Sequence, residues 1–140
     1  LDADDFHPPA NVAKMAAGTP LTDGDRWPWL RVLGAWMSVE IAAGRSAVVT
    51  CSALRRAYRD LLREGRPEVT FCHLVGDEAT VRGRLRMRSG HFMPAALLRS
   101  QLDTLEPLGP DEPGVAVTVE GSAAEVVARV VAALGVGPQA

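Results

Sequence analysis

Three short runs of apolar, largely β-branched residues alternate with stretches of helical periodicity, and this alternation limits the architectures open to the chain. The runs are residues 46–51, which include Val48, Val49 and Thr50, then residues 69–75 and residues 115–119. Each is apolar nearly throughout, not only at alternate positions, as in a parallel strand covered on both faces. Helices are expected over residues 8–17, 29–43, 55–64, 77–87, 97–105 and 122–134. In the second of these, Leu30, Leu33, Trp36, Met37 and Ile41 recur at helical spacing. Asp77 and Ser122 stand where helix N-caps are wanted. Strands separated by helices build right-handed βαβ units, so the expected fold class is α/β, a mainly parallel sheet flanked by helices. Ligands of such sheets bind beyond the carboxyl ends of the strands. That rule nominates residues 1–7, 51–55 and 76–77, and the segment after Val119.

At 140 residues one compact domain is expected. A chain with 47% hydrophobic and 23% charged residues is neither disordered nor membrane-spanning in composition, and no apolar run reaches the length of a bilayer crossing. The acidic start is no signal peptide. A net charge of −2 gives no reason to expect nucleic acid or a membrane surface as partner. Cys51 and Cys72 each lie in an apolar run, as buried free thiols do, and not as a disulfide frame or zinc site. A cytoplasmic location is the expectation that follows.

Asp2, Asp4, Asp5 and His7 form the densest ionisable cluster. If Leu1 ends a strand, Asp2 and Asp4 point the same way, and two such carboxylates can hold a hydrated divalent metal and orient a hydroxyl. A solvated acidic segment explains the same residues. Lys14 is the only lysine; the other basic residues are arginines, many of them clustered in two groups, Arg55, Arg56, Arg59, Arg63 and Arg66, and Arg82, Arg84, Arg86 and Arg88. They read either as solvated helix faces or as forks for phosphate or carboxylate. Ser52 opens the first of these arginine-rich helices, where free N–H groups attract an anion. Arg84 and Arg88 lie one turn apart and lead into the glycine-containing loop Ser89-Gly90-His91-Phe92.

Several motifs, taken in order, resemble one family. Asp2-Ala3-Asp4 with His7-Pro8, Asn11 and Lys14-Met15 resembles the gluconokinase pattern D-G-D-x-x-H-P-x-x-N-x-x-K-M. Pro20-Leu21-Thr22-Asp23, Asp25-Arg26 and Pro28-Trp29-Leu30 resemble its P-L-x-D-x-D-R-x-P-W-L. Cys51-Ser52-Ala53-Leu54-Arg55-Arg56 with Tyr58-Arg59-Asp60 resembles its C-S-A-L segment, and Arg84-Leu85, Arg88 and Gly90-His91-Phe92 its lid, placed at about residues 84–96. The resemblance implies a P-loop NTPase fold of the nucleoside-monophosphate-kinase type. The implied reaction is ATP-dependent phosphorylation of D-gluconate to 6-phosphogluconate with Mg²⁺.

By the same resemblance, Asp2 would stand near the metal's water shell and Asp4 would orient or deprotonate the attacking hydroxyl. Arg26, and less directly Arg59, would clamp the sugar-acid carboxylate. His7 and Ser52 would lie at the substrate. Arg84 and Arg88 would neutralise transferring phosphate, and His91 would seat the lid. Trp27, Trp29 and Trp36 are left to a core or a homodimer face, with Trp36 expected in the core.

Two departures qualify this pattern. Ala3 stands where the family has glycine, and G-x-x-x-x-G-K-S/T, the loop that cradles the triphosphate, does not occur. In the family that loop and the first strand precede the D-G-D segment, so a truncated, poorly stable and catalytically silent chain is expected. The absent strand would have lain between residues 47–51 and 69–75, leaving a gap near twice the ~4.8 Å strand spacing. A shikimate-kinase-like enzyme and a non-catalytic sugar-acid-binding module are the alternatives.

Overall fold

The computed structural model describes residues 1–87 and 95–136. The chain divides into two compact units.

The first unit comprises Leu1–Val69 and a later helix that returns to it. Near its start Asp2 forms an isolated parallel bridge with Thr50, in which Thr50 N–H donates to the Leu1 carbonyl at 3.0 Å and Ala3 N–H to the Thr50 carbonyl at 2.9 Å. Pairing ends there because the chain turns into a 3-10 helix, Ala3–Phe6, opened by Asp2 Oδ1 accepting the Asp4 N–H at 3.1 Å. Residues 46–51, expected as a strand, form none: a strand needs a neighbour for its N–H and C=O groups along its length, and beyond this bridge the segment has one further bond to Leu1, from the Leu1 amine to the Val48 carbonyl at 2.9 Å. Ala3 is fully buried and, among the described residues, no non-glycine residue has a positive φ, so alanine suits the position where glycine was expected.

Helix α1, Pro9–Ala16, starts on a proline at its first position, where the missing N–H costs nothing. Helix α2, Asp23–Ala42, begins six residues before the expected start. Thr22 and Asp25 form a reciprocal capping box, which satisfies two otherwise orphaned donors and holds the first turns although Pro28 lies within them. Helix α3, Arg56–Arg63, packs against α2. The shared core is Trp29, Leu30 and Leu33 with Tyr58 and Leu62, each at most 1% exposed. Burial of side chains this large contributes about 1.5–3 kcal/mol apiece. Trp29, not Trp36, is the core tryptophan: its indole N–H donates to the Ala3 carbonyl at 2.8 Å, while Trp36, two turns on, is half-buried near Phe6. Helix α5, Ala95–Thr104, belongs to this unit. The chain just after it is held by Glu106 N–H on the Leu54 carbonyl at 2.7 Å and by the Glu106 carboxylate on Arg56 N–H at 2.6 Å.

The second unit holds the sheet. Strands β1, Phe71–Val75, and β2, Gly114–Thr118, pair in parallel from Phe71 with Gly114 to Val75 with Thr118. Among the described residues this sheet has two strands. Helix α4, Glu78–Met87, follows β1, with Asp77 Oδ1 accepting the Thr80 N–H at 2.7 Å. Helix α6, Ala123–Leu134, carries the Ser122–Glu125 capping box and ends on Gly135 at φ 65°, a left-handed position that glycine adopts without strain. It packs on β2, where Val117, Val119 and Val126 are buried.

Candidate active site

The acidic cluster is arranged by a turn and a brace. Because Asp4 lies inside the 3-10 helix, strand alternation does not place it; the Asp2 side chain that caps its N–H does. At the far end of that turn, His7 N–H donates to the Asp4 carbonyl at 3.2 Å, and His7 Nε2 faces Asp4 Oδ1 at 3.6 Å. The His7 side chain is 1% exposed and stacks on Trp29, centroids 4.1 Å apart. Its Nδ1 meets Asn11 Nδ2 at 3.2 Å, and the same Asn11 nitrogen donates to the Asp25 carbonyl at 3.0 Å. Lys14 Nζ donates to both oxygens of Asp25, at 2.8 and 2.7 Å. This hydrogen bond, then those from Thr22, hold the Asp25 carboxyl down at about 2. Asn11, Lys14 and Asp25 thus tie α1 to the first turn of α2, the turn that carries Arg26.

Arg26 is 6% exposed. Among the described residues it makes one hydrogen bond, Nη1 to Ser52 Oγ at 3.3 Å, and no ion pair. Its guanidinium lies over the Tyr58 ring, 5.7 Å from the centroid, a cation–π contact in a largely desolvated place. Burial lowers its pKa, and Tyr58 and Cys51 in their ionised forms, with the carboxylates of Asp23 and Asp4, oppose that shift. The Tyr58 hydroxyl donates to Asp23, whose other oxygen accepts from Arg55 Nη1 at 3.2 Å. Burial and then this bond push the phenol up to about 12. Burial and then the charge of Asp4 push the Cys51 thiol up to about 12, so it is no nucleophile at neutral pH. A buried cation with no carboxylate partner among the described residues, within the field of Asp4 and beside a serine hydroxyl, can receive an anion.

Asp2, Asp4, His7, Arg26 and Ser52 are therefore gathered within the first unit. Arg59 is there too, but its Nη1 donates to the carbonyls of Ala53, Leu54 and Glu106 at 3.1, 3.3 and 3.0 Å. That guanidinium binds the chain to itself. Arg84 belongs to the second unit, where it donates to the carbonyls of Val119 and Gly121 beyond the end of β2. Arg88 and His91 lie outside the described residues. An open groove of about 550 Å³, lined by Trp27, Arg31, Ala57, Asp60, Leu61 and Glu64, includes none of the nominated residues. Among the described residues no group of three His, Cys, Asp or Glu side chains could hold a metal, and no helix is long and apolar enough to cross a membrane.

No sequence model of a protein family matches the chain. It is 50% identical over 119 residues to a gluconokinase of Gluconobacter oxydans, a match covering 85% of this chain and 67% of the relative. The chain belongs to the gluconokinase family. A solved sugar kinase from Janibacter sp., unliganded, superposes with a TM-score of 0.90 at 51% identity, covering 99% of this chain and 80% of that one. A gluconokinase from Sinorhizobium meliloti gives 0.86 at 44% identity, covering 96% and 75%. The chain thus has the α/β fold of these kinases and spans part of their length. Gluconokinase membership also makes sense of residues that composition left unexplained. Asn11 and Asp25 belong to the motifs, and the geometry gives them the brace. The four-residue step from His7 to Asn11 and the Thr22-x-x-Asp25 spacing were the signals for it.

Proposed function

We propose that this gluconokinase-family chain forms the acceptor side of an ATP-dependent D-gluconate kinase making 6-phosphogluconate. The observation that carries this reading is Arg26, a buried guanidinium with one hydrogen bond and no ion pair among the described residues. The sugar-acid carboxylate is the anion it awaits. Two parallel N–H···O bonds would anchor one end of the open-chain polyol, while Asp4 accepts a hydrogen bond from the hydroxyl to be phosphorylated. Ser52 Oγ, 3.3 Å from the arginine Nη1, would meet a polyol hydroxyl.

Mg²⁺ keeps much of its water shell and takes one or two carboxylates besides phosphate oxygens, which fits Asp2 acting through water. When bound it would supply charge neutralisation on the phosphates. The residues that would cradle the triphosphate are not in this sequence, which has no G-x-x-x-x-G-K-S/T. Arg84 and Arg88 are assigned to the phosphate side and His91 to seating the lid at the substrate, on the family pattern, and a cytoplasmic location goes with the same reading.

Calorimetric titration of the chain with gluconate, with its neutral counterpart glucitol and with shikimate tests the proposal. Gluconate is expected to bind most tightly and glucitol hardly at all. Equal affinity for gluconate and glucitol would remove the carboxylate from recognition, and preference for shikimate would move the chain to another acceptor.

A further inference from the structure

We propose that Asn11 locks His7 in one tautomer, proton on Nε2, and that this N–H positions the Asp4 carboxylate. The inference deepens the reading of Asp4 as the hydroxyl-orienting group and rests on it. It starts from an atom that has no choice. The Asp25 carbonyl, 3.0 Å from the Asn11 amide, can only accept, so the amide presents its NH₂ there. That same nitrogen lies 3.2 Å from His7 Nδ1. An amide nitrogen donates and does not accept, so Nδ1 must offer its lone pair. The ring proton is then on Nε2, the atom facing Asp4 Oδ1 at 3.6 Å.

The ring cannot readily escape this assignment. Its side chain is 1% exposed, it stacks on Trp29 at an interplanar angle of 22°, and Trp29 is itself tied to the Ala3 carbonyl. Flipping the imidazole would put a C–H where Asn11 donates and leave a buried donor unpaired. A proton moved to Nδ1 would meet the amide's own N–H and turn a lone pair toward the carboxylate. At 3.6 Å the Nε2–H is beyond hydrogen-bond length; it orients Asp4 by its dipole, and the contact can shorten when a hydroxyl binds. His7 and Asn11 are thus positioning residues that reach a ligand only through Asp4.

Long-range ¹⁵N correlation spectra of the ligand-free chain test the lock at its three histidines. For His7 a protonated Nε2 and a bare Nδ1 are expected; a protonated Nδ1, or averaging between the two forms, would overturn the proposal. Asn11→Asp replaces donor by acceptor and is expected to pull the proton to Nδ1. An unchanged tautomer in a folded variant would show that Asn11 is not the lock, and the wild-type spectrum decides the tautomer even where that variant does not fold. The positioning role is read from gluconate affinity. His7→Gln carries an amide N–H near the place of Nε2 and is expected within about twofold of wild type, whereas His7→Leu loses roughly tenfold. Equal affinities of the two variants contradict positioning. Absence of saturable gluconate binding by the wild-type chain would sink the acceptor-site reading and the positioning role with it, while the tautomer result stands separately.

Discussion

Arg26 places a charge in a desolvated setting where, among the described residues, a serine hydroxyl and the Tyr58 ring face it but no carboxylate pairs with it, so its contributions to stability and to binding have opposite signs. Replacing an under-paired buried charge by an apolar side chain of similar length is often neutral or stabilising. Arg26→Met is therefore expected to melt at or above the wild-type temperature while losing roughly 30- to 100-fold in gluconate affinity, the size of about 2–3 kcal/mol of charge-assisted bonds. A variant that melts lower and binds normally would make Arg26 a structural residue. Tyr58→Phe keeps the ring beneath the guanidinium but leaves Asp23 without its hydroxyl donor. It is expected to cost about 1 kcal/mol in denaturant unfolding and to leave gluconate affinity close to wild type.

The Lys14–Asp25 bond gives a pH signature. The Asp25 carboxyl is held below its ordinary 3.8 in the fold, so the stabilisation is complete above that value and is lost as pH falls toward about 2. Melting temperatures of Lys14→Met and wild type should differ at neutral pH and converge over that acid range. A constant offset would assign the lysine's effect to packing.

Among the elements, β2 has little room for change at its first residue. A Cβ at Gly114 would stand 2.5 Å from the Phe71 carbonyl oxygen, a backbone atom that can move only by opening the first rung of the ladder. Gly114→Ala should cost about 1–3 kcal/mol and speed amide exchange along β1. Most elements were legible because their signals are local: proline marks the start of α1 and Ser122 that of α6, and apolar runs mark β1 and β2. Two were not.

The start of α2 was masked by Pro28, which reads as a breaker unless the Thr22–Asp25 box is weighed against it. Residues 46–51 have the composition of a strand, but composition records what could be buried and says nothing of whether a partner is present. At the site, the residue types at Asp2, Asp4 and Arg26 were readable from motif order. The different fates of Arg26 and Arg59 were not, because both stand in arginine-bearing motifs and only three-dimensional placement gives Arg59 three carbonyls and Arg26 one hydroxyl.

At the scale of the whole molecule, the nominated acceptor residues Asp2, Asp4, His7, Arg26 and Ser52 fall in the first unit, and Arg84 in the second. The 140-residue chain, lacking the glycine-rich phosphate loop in its sequence, is expected to show no gluconate-dependent ATP turnover, measured by coupled ADP release, while still binding the sugar acid. The most direct test of that account follows the arginine Nε–H resonances of the labelled chain while gluconate is added. The Arg26 signal is expected to move saturably, with the Asp4 carboxyl carbon, and the Arg59 signal to stay in place. A saturable shift at Arg59 with Arg26 unmoved, or no saturable shift at either, would contradict it.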